Sequence, residues 1–259
     1  MRLAHAQRQE RCRVRPIAAL ALAPCFACTA PTPEPTSLQP LSVHVVERVD
    51  QPSGLAFAGG RLYAVGDQKA KIYALAADGS VASDVNLALG IGEQTSLEAI
   101  AIAGDTAVVA REASAALIHV SLGDGSVLFR STVPDALDAN SGLEGVMIRP
   151  GDQQLFALKE KSPTLLIQID TAGVEQSAVQ LNVASDLSDL CYLCNDEFLA
   201  VSQADRALLR LKIDGTLVAK WSIPVVRAEG LAYDGSQRLY IVDEQSNELS
   251  VFEFDAGCD

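Results

Sequence analysis

Hydrophobic and polar positions alternate in short runs along most of the chain, and turn residues separate the runs. In the segment 228–255, AEGLAYDGSQRLYIVDEQSNELSVFEFD, an acidic start opens the first apolar run, a second follows a turn, and a third follows a polar turn. Short runs rich in Val, Ile, Tyr and Phe without helical periodicity are typical of β-strands. The pattern predicts three consecutive strands in this segment.

The same pattern occurs five times, with a period of about 45 residues. The first strands of the five copies begin at Ser53, Glu98, Glu144, Asp189 and Glu229. The first four copies add a fourth strand after turns such as ADGS and IDGT, where Gly accepts the positive φ of a tight hairpin. Four short strands in a unit of this length are typical of a propeller blade. We therefore predict an all-β fold, a five-bladed β-propeller.

The fifth copy lacks a fourth strand, because the sequence ends shortly after Phe254. An alternating strand, SVHVVERV at 42–49, precedes the first copy and belongs to no blade of its own. An unpaired strand edge promotes aggregation, so we expect this N-terminal strand to supply the missing outer strand and close the ring. A six-bladed ring with one degenerate blade is the alternative, but residues 40–52 are too few to build a blade.

Residues 1–28 have the features of an export signal of the bacterial lipoprotein type. Five arginines lie within residues 1–15, and a short apolar run, IAALALA, follows at 17–23. That run is too short to span a bilayer. Lipidation is expected at Cys28, with Cys25 as the alternative, and a plain cleaved signal is the other interpretation. Residues 29–41 would form a Pro-rich extended tether, and residues 42–259 the propeller, facing the periplasm or the cell surface.

The formal net charge of −13 argues against nucleic acid or an anionic membrane surface as a partner. It favours cations, or cationic and neutral ligands. Membrane contact is expected only through the N-terminal lipid anchor. We expect a monomer whose partner is a small molecule or an envelope protein, and the sequence does not identify either.

Acidic residues recur at two positions of the repeat. One set is the group of five strand starts given above. A second set follows the second strand of each copy, at Asp67, Glu112, Glu160, Gln203 and Glu244. Because the two strands are antiparallel, the start of one lies near the end of the other, so both sets are expected at the same end of the central channel.

Carboxylates gathered at one end of a channel repel each other, by roughly 3 kcal/mol for a pair about 6 Å apart at an effective dielectric near 20. Protonation or a bound cation would relieve this repulsion. Calcium accepts six to eight oxygen ligands in adaptable geometry, and magnesium is the weaker candidate because it requires a tight octahedron. We predict a calcium site formed by the first set, whose members are Ser53, Glu98, Glu144, Asp189 and Glu229.

A structural role for these acids is the alternative to a metal site. They would then accept hydrogen bonds from backbone N–H groups or pair with nearby bases. Arg111, Lys159 and Lys161 adjoin members of the second set, and Arg227 lies two residues before Glu229.

The motifs Glu144-Gly-Val and Glu229-Gly-Leu-Ala-Tyr-Asp, with LYIVDE and LSVF behind them, resemble the SdiA-regulated (YjiK-like) bacterial β-propeller family. The resemblance covers most of residues 42–255. It implies a five-bladed propeller after a membrane-proximal N-terminus, with a metal associated with the acids at the channel mouth. Related patterns occur in NHL-type and calcium-dependent phosphotriesterase-like propellers. The chain departs from the repeat at Ser53, Asp189 and Gln203, where Glu would be expected.

Two functions are compatible with a metal at the channel mouth. The favoured one is a non-catalytic binding module of the cell envelope. The alternative is a calcium-dependent hydrolase of esters, lactones or phosphotriesters, in which Glu112, Glu160 and Glu244 are the candidate bases. The chain has no Gly-x-Ser-x-Gly, His-Glu-x-x-His or Gly-x-x-x-x-Gly-Lys motif.

Three cysteines follow the signal and tether, at positions 191, 194 and 258. An exported protein meets oxidising conditions, so a local disulfide or buried free thiols are expected. His44 and His119 lie within predicted strands, which argues against a zinc site formed by Cys and His.

Overall fold

The computed structural model describes residues 36–90, 96–112, 114–137 and 142–258. In these ranges the chain forms twenty β-strands and one short 3-10 helix, Pro134–Ala136. The strands make five separate four-stranded antiparallel sheets. No helix in this part of the chain is long and apolar enough to span a membrane.

The strands are β1 (Pro40–Val45), β2 (Pro52–Ala58), β3 (Arg61–Gly66), β4 (Lys69–Leu75), β5 (Val81–Asn86), β6 (Ala99–Ala103), β7 (Thr106–Arg111), β8 (Ala116–Ser121), β9 (Val127–Thr132), β10 (Leu143–Arg149), β11 (Gln154–Lys159), β12 (Leu165–Ile169), β13 (Glu175–Gln180), β14 (Asp189–Cys194), β15 (Glu197–Ser202), β16 (Ala207–Lys212), β17 (Leu217–Ser222), β18 (Ala228–Tyr233), β19 (Arg238–Asp243) and β20 (Glu248–Glu253). Blades 1 to 4 are β2–β5, β6–β9, β10–β13 and β14–β17, each in chain order from the inside outward.

Blade 5 contains β18, β19, β20 and, outermost, β1. β1 pairs antiparallel with β20, so that Val43 lies opposite Ser250 and Val45 opposite Glu248. The inner strands contact one another in the order β2, β6, β10, β14, β18, and β18 contacts β2 again. The five-bladed ring and its closure by an N-terminal strand are therefore confirmed. The closing strand covers Pro40–Val45 rather than the expected 42–49.

A hydrophobic core lies between each pair of neighbouring blades, five in all among the described residues. Between blades 3 and 4, for example, Phe156, Phe198 and Leu209 are almost completely buried. Because each sheet is covered on both faces, its inner strands are continuous apolar runs rather than strictly alternating ones.

The three cysteines of the propeller adopt neither arrangement expected from the sequence. Cys194 forms a disulfide with Cys258, 64 residues away, while Cys191 is a free thiol. The bond joins the end of the inner strand of blade 4 to the segment that follows β20. Spacing along the sequence gave no signal for this pairing, because it depends on blades 4 and 5 being neighbours.

Loss of the closing strand should destabilise the propeller. A chain that begins at residue 46 lacks β1 and exposes the edge of β20, so we expect its melting temperature to fall by more than about 10 °C and aggregation to follow. A chain that begins at residue 36 keeps β1 and serves as the matched control. Thermal unfolding followed by circular dichroism measures both. Equal melting temperatures for the two chains would contradict the closure.

Candidate metal site at the acidic channel mouth

A cavity of about 560 Å³ lies where the inner strands begin, and its lining is almost entirely polar. The lining residues are Ser53, Asp67, Ser96, Glu98, Glu112, Glu144, Glu160, Lys161, Gln203, Arg227, Glu229 and Glu244. The structure thus brings together the whole second set and all of the first set except Asp189. We call this space the acidic cavity.

Strand register explains why these side chains meet. In blades 1, 3 and 5 a glycine follows the first-set residue and lies opposite the second strand, as Gly54 does opposite Val65 and Gly230 opposite Val242. The inner strands approach closely here. A Cβ at Gly54 would lie 2.7 Å from Ala99 Cα, and one at Gly230 would lie 3.0 Å from Leu55 N. Close packing at this level draws the preceding residues into one mouth.

Asp189 does not occupy the first-set position that the sequence suggested. It lies opposite Val201 and is therefore equivalent to Gly54 and Gly230, one residue further along the strand. The first-set residue of blade 4 is Ser188, whose N–H donates to Val201 O (2.9 Å) as Glu98 N–H donates to Ala110 O (3.1 Å). A shift of one residue turns a strand side chain to the opposite side, which removes Asp189 from the lining.

Asp189 instead links three blades from inside the ring. Its side chain is fully buried. Its carboxylate accepts the N–H of Leu190 (2.8 Å), of Leu231 (2.8 Å) and, at 3.5 Å, of Leu55. These donors lie on the inner strands of blades 4, 5 and 1, which have no further strand to pair with. Burial raises the pKa of Asp189, and the three backbone donors oppose that rise.

Cations neutralise part of the second set. Arg227 Nη2 lies 2.8 Å from Glu244 Oε2, and Lys161 Nζ donates to Glu160 Oε1 at 2.6 Å. With its amide oriented to satisfy both groups, Gln203 donates to Glu229 Oε1 (2.6 Å) and accepts from Arg227 Nε (3.1 Å). A hydrogen-bonded network therefore joins four of the lining residues, Arg227, Glu244, Gln203 and Glu229.

Glu98 and Glu144 lie outside that network, and neither has a hydrogen-bond or ion-pair partner within the described ranges. Burial, reinforced by the charges of Asp67 and Glu112, raises the pKa of Glu98 to about 8. Burial and the charge of Glu98 raise the pKa of Glu144 to about 10. At neutral pH these acids retain protons unless a cation compensates for their charge.

Glu229 lies at the border between the two parts of the cavity. Burial and the charge of Glu244 raise the pKa of Glu229 to about 7, although Arg227 and the Ser188 hydroxyl oppose the rise. Glu229 is thus the first-set acid most readily ionised near neutrality.

The oxygen atoms of the cavity are of the kind that calcium binds, but they are not arranged as a ready-made metal site. In the described part of the chain, no three Asp, Glu, His or Cys side chains lie close enough together to form a ready-made metal site. Carboxylates with the hydroxyls of Ser53 and Ser96 are nevertheless the oxygen ligands that calcium takes. The residues therefore fit the ion in kind, and the carboxylates of Glu98 and Glu144 would be among its ligands.

Substitution of Asp189 should destabilise the whole ring. Asp189→Asn leaves one acceptor oxygen for three N–H donors and directs an NH2 group at one of them. We expect a loss of roughly 2 to 4 kcal/mol in the free energy of unfolding, measured by urea denaturation. Asp105→Asn, at an exposed turn, is the matched control and should change little. Equal stability of the two variants would contradict the role of Asp189.

The stability of the metal-free protein should fall as pH rises. A glutamate whose folded-state pKa is raised stabilises the fold at pH values below its unfolded pKa, and this contribution is lost as pH rises through the folded pKa. For Glu229, Glu98 and Glu144 the loss should extend from about pH 5 to pH 10. Melting temperatures in a chelator should decline over this range, and Glu144→Gln should decline less. A flat wild-type profile would show that these acids are not strained.

The sequence matches the family model named SdiA-regulated over residues 41–183 and 173–259. No curated protein matches the chain. Among solved structures, glutaminyl cyclase from Myxococcus xanthus is similar with a TM-score of 0.64 at 15% identity, covering 86% of this chain and 100% of that chain. Virginiamycin B lyase from Staphylococcus aureus has a TM-score of 0.51 at 13% identity, covering 79% of this chain and 66% of that one.

At such identities the structural similarity shows the β-propeller fold alone. The match to the family model is more specific, because its two segments together cover nearly all of the propeller. The chain belongs to the SdiA-regulated family, and its fold is a five-bladed β-propeller.

Proposed function

We propose that this propeller is an exported binding module whose acidic cavity holds a calcium ion. The observation that carries the proposal is the pair Glu98 and Glu144, which line one cavity without a hydrogen-bond or ion-pair partner among the described residues, while burial and the charges of neighbouring carboxylates raise their pKa values. A divalent cation between such carboxylates replaces repulsion with attraction. The carboxylates of Glu244 and Glu160 are already paired with Arg227 and Lys161 and do not need the ion.

The proposed ligands are Glu98, Glu144, Glu229 and the hydroxyl of Ser53. Asp189 is not included, because its oxygens accept backbone hydrogen bonds. Calcium tolerates irregular coordination and carboxylates that bind through one or two oxygens, whereas magnesium demands an octahedron with bonds of about 2.0–2.1 Å. A mouth whose ligands come from four different blades suits the more adaptable ion.

A calcium ion would leave much of the acidic cavity open to a ligand. The cavity has a volume of about 560 Å³, which exceeds the space that one ion needs. A small molecule, or a side chain of an envelope protein, could supply an oxygen atom to complete the coordination of the ion. We therefore propose recognition of an oxygen-bearing ligand through the ion as the binding activity.

The proposal also includes the export signal, the lipid anchor and the tether, and these rest on the sequence alone. Residues 1–28, with Cys28 or alternatively Cys25 as the lipidated residue, lie outside the described residues, as do residues 29–35. Detergent phase partitioning of the expressed protein tests the anchor. Cys28→Ser, or Cys25→Ser if Cys25 is the lipidated residue, should move the protein to the aqueous phase. An unchanged distribution in both variants would remove the anchor from the account.

The second candidate, a calcium-dependent hydrolase, has one observation in its favour. Glu98, with a pKa of about 8, would suit acid–base chemistry near neutrality. Against it, two of the candidate bases are already bonded to cations, Glu160 to Lys161 and Glu244 to Arg227. The third, Glu112, accepts a long hydrogen bond at Oε1 from the backbone N–H of Gly142 (3.5 Å). We therefore favour the binding module.

Calorimetric titration of residues 36–259 with calcium tests the metal site. We expect saturable binding and a rise in melting temperature, because a ligand that binds only the folded state stabilises it. Glu98→Gln and Glu144→Gln should each weaken binding at least about tenfold, since each removes a charged ligand. Glu47→Gln, on the exposed segment after β1, is the matched control. No heat and no melting shift with excess calcium would contradict the proposal.

A screen of aryl esters, lactones and phosphotriesters, with and without a chelator, separates the two candidate functions. The binding module predicts no turnover above that of the buffer. The hydrolase would be established instead by turnover that a chelator abolishes, provided that Glu98→Gln is inactive and Glu47→Gln is active.

A further inference from the structure

A second cavity, of about 300 Å³, lies at the opposite end of the inner strands. Its wall includes one side chain from each blade, four residues beyond the first-set position. These residues are Phe57, Ile102, Ile148, Tyr192 and Tyr233. All five are half-buried, so an apolar ring surrounds an open space. We call this space the apolar cavity.

The aromatic walls of the apolar cavity are held in place by contacts behind them. The Phe57 ring stacks on Tyr240, with centroids 6.1 Å apart. The Tyr233 ring packs edge-on against Phe254 at 6.0 Å, and its hydroxyl donates to Ser236 O at 2.7 Å. Walls fixed in this way lose little conformational freedom when a ligand binds.

The Asp234 carboxylate and the Cys191 thiol of this lining are already stabilised by their surroundings. Asp234 Oδ1 already accepts hydrogen bonds from Ser236 N, Gln237 N and Arg238 N and from the Ser236 hydroxyl, at 2.8–3.0 Å. Burial raises the pKa of the Cys191 thiol, which keeps it neutral. The chemistry of the cavity therefore favours an uncharged molecule.

The two cavities are separate. They share no lining residue in the described part of the chain. Leu55 and Leu190 line the apolar cavity, and their backbone N–H groups are bonded to the buried Asp189 carboxylate. Asp189 thus belongs to the layer between the two spaces, and a ligand in one need not contact a ligand in the other.

We propose that the apolar cavity is a second binding site, which takes a small neutral molecule built on an aromatic or alicyclic ring. A volume of about 300 Å³ is at the lower end of ligand-pocket sizes and suits a single or fused ring rather than a long chain. Apolar cavities with fixed walls gain stability when a ring of matching size displaces the few waters they hold. This site does not depend on the proposed calcium site.

Titration with 6-fluoroindole, followed by fluorine NMR on residues 36–259, tests the site. We expect saturable line broadening that neither calcium nor Glu144→Gln alters. Ile148→Glu should weaken binding at least about tenfold, because it places a charge in the apolar wall. Ile102→Trp fills the cavity instead of charging it and should weaken binding to a similar extent. It serves as the test variant if Ile148→Glu does not fold. Leu128→Glu is the matched control, since Leu128 is 58% exposed on an outer strand.

The proposal is overturned by broadening that does not saturate with probe concentration. It is also overturned if Leu128→Glu weakens binding as much as the cavity variants do, or if Ile102→Trp leaves the affinity unchanged.

Discussion

The close approach of five inner strands is the constraint on which the rest of this structure depends. At Gly54 and Gly230 the neighbouring backbone leaves no space for a side chain. Strands packed this tightly bring their first residues into one mouth and their last residues into another. They also leave inner N–H groups without strand partners, and the buried Asp189 accepts three of them.

The two ends of the channel differ in their electrostatics. At the acidic end, Arg227 and Lys161 compensate Glu244 and Glu160, but Glu98 and Glu144 have no ion-pair partner among the described residues. Each unit by which their pKa values are raised corresponds to about 1.4 kcal/mol that protonation or a bound cation can recover. The apolar end carries no such strain, because Asp234, the one carboxylate among its described lining residues, accepts several hydrogen bonds.

The repeat made the fold predictable, since five copies of one strand pattern leave little freedom in blade number and in the role of the N-terminal strand. It also placed the glutamates at one mouth, because register carries them there. In blade 4 two adjacent polar residues, Ser188 and Asp189, both fit the first-set position of the repeat. The carboxylate, Asp189, was predicted there from the sequence, whereas Ser188 occupies the position in the structure. Leu190 and Tyr192 held the missing signal, because they match Leu231 and Tyr233 of blade 5 only when Ser188 is aligned with Glu229.

Other features depend on contacts between blades and could not be predicted from one repeat at a time. The pairing of Cys194 with Cys258 and the link from Gln203 to both Arg227 and Glu229 are of this kind. The same is true of the apolar cavity, whose five wall residues are ordinary hydrophobic strand positions until the ring brings them together.

The central claim is that crowding at the acidic mouth creates a site for a divalent cation. Anomalous X-ray diffraction from crystals of residues 36–259 grown with calcium tests it most directly. The account predicts one anomalous peak within about 2.3–2.6 Å of carboxylate oxygens of both Glu98 and Glu144. A map with no anomalous peak at the acidic mouth would contradict it.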